Sequence, residues 1–174
     1  MDQNDDKITL VINTKNEEKN IKDCILSAKD IVDEIIVVDM ISNDKTIEIA
    51  EKLGAKVFKI KDYGYVEPAK NFALSKPTTK WTLVIDGDER LTKDLRSKIP
   101  QLVKDKKYDG FKFPFKNILL GKWIKHGMWW PDYHLRLFRT GYLNWPLKVH
   151  QEPNFSGRLF QLDPVEKNAV VHYN

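Results

Sequence analysis

Three short apolar runs, each ending in polar residues, constrain this chain more than any other feature. ITLVI (8–12), IIVV (35–38) and WTLVI (81–85) are continuous and rich in β-branched side chains. Unbroken apolar character marks a strand buried on both faces, as in a parallel sheet flanked by helices. The intervening segments agree. Ile21, Cys24, Ile25 and Ala28 recur at helical spacing, as do Ile47, Ala50 and Leu53 before a helix-stopping Gly54. Residues 56–60 predict a further strand. Pro68 opens a helix through Leu74 with Ala69, Phe72 and Ala73 turned inward. Strand and helix thus alternate four times, the pattern of a parallel sheet with helices on its faces.

From residue 92 the character changes. Thr92 predicts the cap of a helix carrying Leu95, Ile99, Leu102 and Val103, which Pro100 should kink or split. Phe111, Phe113 and Phe115 alternate as in a strand with one buried face, and Pro114 predicts an edge or irregular strand there. The loop GKWIKHGMWWP (121–131) follows, then alternation over 133–139 and a last strand within 165–173.

The chemistry gathers where the third run stops, at Asp86-Gly87-Asp88-Glu89. Open α/β sheets bind ligands at the carboxyl ends of their strands. Three crowded acids repel unless something neutralises them, and a divalent cation does so. Carboxylate oxygens suit Mg²⁺ or Mn²⁺, with substrate phosphates completing the shell. Gly87 leaves room for a ligand beside the backbone. The same residues also read as a polar turn, with Asp88 or Glu89 starting a helix. Asp39 tips the second strand, which places it with Asp86 at one sheet edge, although Asp39 and Asp44 equally read as helix caps. The four histidines lack a compact spacing, so no zinc site is expected.

Composition narrows the class. A chain of 174 residues suffices for one domain with its own core. A single cysteine excludes an internal disulfide framework and fits a reducing cytoplasm. No apolar run approaches the length of a bilayer span. The net charge of +4 fits an anionic ligand or an anionic membrane surface. Lys and Arg are scattered rather than clustered, which argues against nucleic acid.

Four segments together resemble the inverting nucleotide-sugar glycosyltransferases of family two: ITLVINTKNEEKNI (8–21), EIIVVDMISNDKTIEIAEKLGAKV (34–57), PAKNFAL (68–74) and WTLVIDGDERL (81–91). GKWIKHGMWWPDYHLRLFR (121–139) resembles the branch that includes lipopolysaccharide-core glucosyltransferases. The resemblance covers nearly the whole chain. It implies an α/β, Rossmann-like GT-A fold, with a mostly parallel central sheet and helices on both faces. It also implies a single domain over 1–174, residues 1–91 binding the nucleotide sugar and 92–174 facing the acceptor, with more chain expected after Tyr173.

Residue by residue, the resemblance places Thr14, Asn16 and Glu17 at the base and ribose, and Asp39 at the uracil or ribose. Lys70 falls at the donor diphosphate. Asp86 falls at ribose and metal, and Asp88 at the metal. The branch often has His-Glu near His150, where this chain has His150-Gln151-Glu152.

The expected reaction moves a sugar from a nucleotide diphosphate sugar, a UDP-hexose, to an acceptor hydroxyl. It needs a base from the second half of the chain, Asp132 first and Glu152 second. Trp129 and Trp130 offer aromatic faces to a sugar, although the tryptophans of this loop also read as packing. Arg136 offers a cation to an anionic acceptor group or to the diphosphate. The implied partners are a nucleotide-sugar donor and a glycan or lipid-linked acceptor, with peripheral contact at the inner membrane surface. A sugar-phosphate nucleotidyltransferase would need a Gly-rich loop where this chain has NTKNEE (13–18). A catalytically silent glycan or nucleotide-sugar binding protein is argued against by the intact D-x-D.

Overall fold

The computed structural model describes residues 5–64, 67–146 and 153–173. The first half runs β1 (Ile8–Thr14), α1 (Ile21–Ala28), β2 (Glu34–Asp39), α2 (Thr46–Lys52), β3 (Lys56–Lys59), α3 (Glu67–Leu74) and β4 (Trp81–Asp86). The second half runs β5 (Glu89–Leu91), α4 (Lys93–Leu102), β6 (Gly110–Leu119), β7 (Lys122–Trp123), β8 (Asp132–Arg139), β9 (Leu143–Asn144), β10 (Asn154–Phe155), β11 (Leu159–Gln161) and β12 (Val170–Tyr173). One curled sheet holds β3-β2-β1-β4-β8-β6-β12-β5 in that order, with β7 and β11 added on β6. β3, β2, β1 and β4 are mutually parallel; β8 enters antiparallel to β4.

The strands alternate between two separate cores. Leu10, Ile12, Val37, Leu83 and Ile85 face α1, α2 and α4, along with Phe111 and Phe113. Val11, Ile36, Val38 and Val84 face Ala69 and Ala73 of α3, together with Phe138 and Leu143. A period of two sends successive side chains to opposite faces, and helices on both faces bury both sets. That is why the runs are continuous in sequence. Each fully buried Ile, Leu or Val contributes about 1.5–3 kcal/mol relative to exposure. α1 buries Ile21, Cys24, Ile25 and Ala28, the residues its spacing predicts. The Cys24 thiol donates to the Asp86 carbonyl at 3.3 Å, so α1 is pinned under the tip of β4. Burial pushes that thiol well above its ordinary pKa.

Three local expectations change in three dimensions. In α2, Ile49 and Leu53 join Ala50 against the core rather than Ile47. α4 begins as predicted, the Thr92 hydroxyl accepting from the Leu95 amide at 3.3 Å, but it continues through Pro100 to Leu102. Pro100 lies in the last turn, where a missing amide costs a single backbone hydrogen bond. β6 is interior rather than an edge, and it is irregular, its register with β8 shifting between Phe111 and Lys112. It pairs with β8 on one side, and on the other with β11 over 110–112 and β12 over 115–118. Pro114 falls in the gap between those two partners, so neither short ladder contains it.

The opening beside β4 follows from register. The β4–β8 ladder runs from Trp81↔Arg139 to Leu83↔Leu137 and stops. β4 continues to Asp86 while β8 is paired to β6 back to Asp132. The unpaired ends of the two strands flank a cleft. Among the described residues no helix is long and apolar enough to cross a membrane.

Candidate active site

The cleft has a volume of about 920 Å³ and lies at the carboxyl end of β4. It brings together Thr14, Glu17, Lys70, Asp86 and Asp88 from the first half of the chain. From the second half it takes Trp129, Asp132 and Arg136. It is not lined by Asn16, Asp39 or Trp130, and Glu152 lies outside the described residues.

Asp39 and Asn16 join the two loops that wall the cleft. Asp39 is fully buried. Its Oδ1 accepts from the Ser42 amide at 2.8 Å, and its Oδ2 from the Ser42 hydroxyl. The Ser42 oxygen in turn accepts from the Asn16 amide at 2.8 Å. Asn16 sits at φ +55, where Asn is among the better-tolerated residues, and its Oδ1 accepts from the Asn43 amide at 2.8 Å. Glu17 and Glu18 donate their amides to Thr46 and Asp44. Asp39 and Asn16, expected at the nucleoside, are engaged here in loop-to-loop hydrogen bonds that join the β1 and β2 loops. Gly87 is likewise occupied: a Cβ there would lie 2.8 Å from the Thr14 hydroxyl and 2.9 Å from Glu17 Cγ. The β1 loop packs against the side where a Cβ would stand, and Gly87 also lines the cleft.

Beneath the D-x-D lies a closed ring of charge. Arg136, with 8% of its side chain exposed, donates to Glu89 Oε1 at 2.5 Å and to Asp86 Oδ2 at 3.3 Å. Glu89 Oε2 accepts from the Asp86 amide at 2.9 Å. Arg136, expected to meet an anionic acceptor group or the diphosphate, lines the cleft with its guanidinium turned to two acids, which an arginine buried there needs. Burial raises the Asp86 pKa, but Arg136 and then Lys70 outweigh it and hold the carboxyl below its ordinary range. Burial pushes Glu89 up, to about 8, against the pull of Arg136. Burial works against the charge on Arg136 too, but Glu89 and Asp86 keep it firmly protonated. Glu89 starts β5, not a helix.

Asp88 and the acceptor side are tied by histidines that sequence spacing did not single out. His172 Nε2 lies 3.3 Å from Asp88 Oδ2, and its Nδ1 donates to Asn117 Oδ1 at 2.8 Å. The hydrogen bond to Asp88 raises the His172 pKa despite burial. The Tyr173 amide also donates to the Asp88 carbonyl at 3.1 Å. His134 Nε2 is 2.9 Å from Asp132 Oδ2, its ring 4.4 Å from Phe115. Partial burial and then Arg136 lower the His134 pKa, with Asp132 opposing. Trp129 is half exposed in the cleft. Trp130, expected beside it, turns away to meet Trp123 edge-on at 5.1 Å. Lys70 stands over the Trp145 ring at 4.3 Å.

Sequence reasoning also passed over Asn13. It is 4% exposed, lines the cleft, and neither polar atom of its amide has a partner; the Thr14 hydroxyl is unpartnered too. Buried polar groups without partners are costly, and a polar ligand in the cleft would satisfy them. For a cation, Asp86 and Asp88 are hard oxygen donors with 32% and 28% of their side chains exposed. Among the described residues no three His, Cys, Asp or Glu groups converge to hold an ion. The donor set fits Mg²⁺ or Mn²⁺ held by one or two carboxylates with phosphate oxygens completing the shell.

Comparison with known proteins bears on this arrangement. The family model described as Glycosyl transferase family 2 matches residues 9–165. An uncharacterized glycosyltransferase of Rickettsia felis is 45% identical over 106 residues, 61% of this chain and 37% of that protein. The chain thus spans about a third of the length of the curated relatives it matches. S. aureus TarS (residues 1–349, in complex with UDP) superposes with a TM-score of 0.73 at 21% identity, covering 97% of this chain and 60% of that one. Glucosyl-3-phosphoglycerate synthase from Mycobacterium tuberculosis, in complex with Mn²⁺, UDP and glucosyl-3-phosphoglycerate, superposes with a TM-score of 0.54 at 23% identity. It covers 63% of this chain and 44% of that one. At such identities the likeness establishes the fold.

Proposed function

Because the chain belongs to glycosyl transferase family 2, we propose that it moves a sugar from a nucleoside diphosphate sugar to an acceptor hydroxyl, with inversion at the anomeric carbon. The observation that carries this reading is the single cleft at the tip of β4. There Asp86, Asp88, Lys70 and the unpartnered polar atoms of Asn13 and Thr14 face Asp132 and Trp129. A diphosphate needs cations, and a nucleoside needs polar partners; both are on one side. A base and an aromatic platform are on the other.

The donor is a UDP-hexose, in line with the UDP held by TarS and by glucosyl-3-phosphoglycerate synthase. Residues 1–91 form the donor side and 92–174 the acceptor side of one domain. Asn13, Thr14 and Glu17 engage the nucleoside, while Asn16 and Asp39 hold the wall that presents them. Lys70 faces the diphosphate. Arg136 and Glu89 orient the Asp86 carboxylate, and His172 orients Asp88. Asp88, with Asp86, would hold Mg²⁺ or Mn²⁺, which when bound neutralises charge on the departing diphosphate. Asp132 takes the proton from the acceptor hydroxyl as that oxygen attacks the anomeric carbon from the face opposite the diphosphate. His134, hydrogen-bonded to Asp132, fixes the rotamer of that carboxylate. Trp129 stacks on the acceptor sugar. The resemblance of residues 121–139 to the lipopolysaccharide-core branch supports a cell-envelope glycan, free or lipid-linked, as acceptor.

The direct test is release of UDP from UDP-sugars with Mn²⁺ present and with chelator present, alongside calorimetric titration of UDP into Asp88→Asn. Asp88→Asn keeps size and removes one charge. Mn²⁺-dependent UDP affinity is expected to vanish in this variant with the fold intact. Unchanged affinity would remove Asp88 from the metal.

A further inference from the structure

Residues 116–131 carry the most exposed apolar side chains among those described. β6 passes into β7 through Leu120 and Gly121, at φ +49 and +75. Two successive left-handed residues make the tight hairpin turn that Asn-Gly favours. Here the first is a leucine, 90% exposed. A branched apolar side chain in that conformation is strained, and one in water adds nothing to the core, so the fold does not account for it. Met128, beside Gly127 at φ +70, is 96% exposed, and Leu119 is exposed as well.

The charges of this stretch are of one sign. KNILLGKWIKHGMWWP contains Lys116, Lys122 and Lys125 and no Asp or Glu. Lys116 and Lys125 lie over the Trp123 ring at 4.7 and 4.2 Å. Lys116 also pairs with Glu166 from outside the stretch, while Lys122 and Lys125 are exposed. Exposed Leu and Met beside Trp and Lys is the composition of a surface that sits at a bilayer interface. Apolar tips enter the acyl boundary, and cations meet anionic headgroups. A second copy of this chain is a poorer fit, because the exposed Lys122 and Lys125 would meet a stretch that carries no acid.

We propose that the β6–β7 tip and the turn at Met128 form a docking surface for an anionic lipid bilayer, with Leu120 and Met128 inserted and Lys122 and Lys125 at the headgroups. Trp129 joins this surface to the cleft. Delivery of a lipid-linked acceptor by this route rests on the glycosyl-transfer reading; the docking itself does not.

The test is co-sedimentation of the purified chain with vesicles of phosphatidylcholine alone and of phosphatidylcholine mixed with phosphatidylglycerol. The chain is expected to bind the mixed vesicles and not the neutral ones. Leu120→Ser with Met128→Ser is expected to lower that partitioning about tenfold or more. Lys122→Gln with Lys125→Gln is expected to lower it comparably and to flatten its salt dependence. Melting temperatures should match wild type in both variants, since all four side chains are exposed. No binding to the mixed vesicles, or wild-type binding by the Ser variant, overturns the proposal. So does self-association in sedimentation velocity that the Ser variant abolishes, which would assign the surface to a second copy. UDP release measured without vesicles is unchanged in these variants either way, so failure of docking and failure of the transfer reading are separately visible.

Discussion

The parallel half of the sheet and the half built on β6 teach different lessons about one site. In the parallel half, β1, β2 and β4 each contribute a polar tip directly from the end of an apolar run. Helices α1, α2 and α4 bury one face of those runs and α3 buries the other. In the other half, the groups that reach the cleft come from strands whose neighbours are remote. Arg136 meets Glu89 47 residues away, and His172 meets Asn117 55 residues away. Long-range register closes both sides, since β1 pairs with β4 as β8 pairs with β6; what differs is that the donor side's polar tips end apolar runs, whereas the acceptor side's groups lie within alternating strands.

The sharpest way to separate the two halves is Asp132→Asn. Loss of a general base costs about 10²–10⁴-fold in rate, while donor binding, built by the other half, should be untouched. Single-turnover transfer and UDP titration on one preparation check both parts. Glu152→Gln should have a smaller effect; the reverse order would move the base to Glu152.

Arg136 is where the two halves meet, and Arg136→Met should strip the buried acids of their partner. Removing one member of a buried pair costs about 3–5 kcal/mol. The cost should be larger at pH 8 than at pH 5. Glu89, whose folded pKa is already raised by burial, can take up a proton at the lower pH and shed its charge. Chemical denaturation at both pH values measures this. An equal cost at both would mean that Glu89 is not the acid relieved.

Asp39→Ala probes the donor half. It leaves the half-buried Ser42 amide and hydroxyl without their charged acceptor, which costs about 1–3 kcal/mol. A fall in melting temperature with UDP affinity nearly kept is the expected outcome. Affinity lost without loss of stability would instead return Asp39 to direct contact with the nucleoside.

The smallest effect expected is a pH slope from His134. Its folded pKa is depressed, so below the ordinary histidine range the unfolded chain binds more protons than the native one. Stability contributed at neutral pH is therefore lost as pH falls through about 6.5 toward the folded value. Asp132 and the Phe115 ring touch it, the charges of Arg136 and Asp86 act on it, and nearly half its side chain is in water, which keeps the slope shallow. His134→Asn should flatten this part of the melting-temperature profile. An unchanged profile assigns it to other groups.

Particular residues mark how far the chain could be read. Ile21, Cys24, Ile25 and Ala28, the Thr92 cap, and the buried Phe111, Phe113 and Phe115 all follow from spacing. Asp86 and Asp88 reach the cleft from the end of an apolar run, Thr14, Glu17 and Lys70 line it where the family resemblance put them, and Asp132 and Trp129 line it from the second half. Trp130 and Arg136 both found partners within the protein. One found an aromatic partner, and the other found acids across the sheet. Asn13 and His172 carried no local signal, because a buried amide and a lone histidine look alike in many contexts, and Glu89 was visible only as a third acid beside the D-x-D.

Which faces are buried was determined by the sequence alone, because periods of two and 3.6 are local properties of a backbone with a fixed menu of geometries. So was the acidic tip of β4, since an apolar run ending in Asp-Gly-Asp-Glu leaves its charges at the strand end. Which cation answers those charges, and which histidine stands beside Asp88, only the tertiary structure decided. Arg136 is delivered by the ladder Leu83↔Leu137, and His172 by the pairing of β12 with β5. Strand register is a property of partners far apart in the chain, and a one-residue slip in either ladder would turn those side chains to the other face.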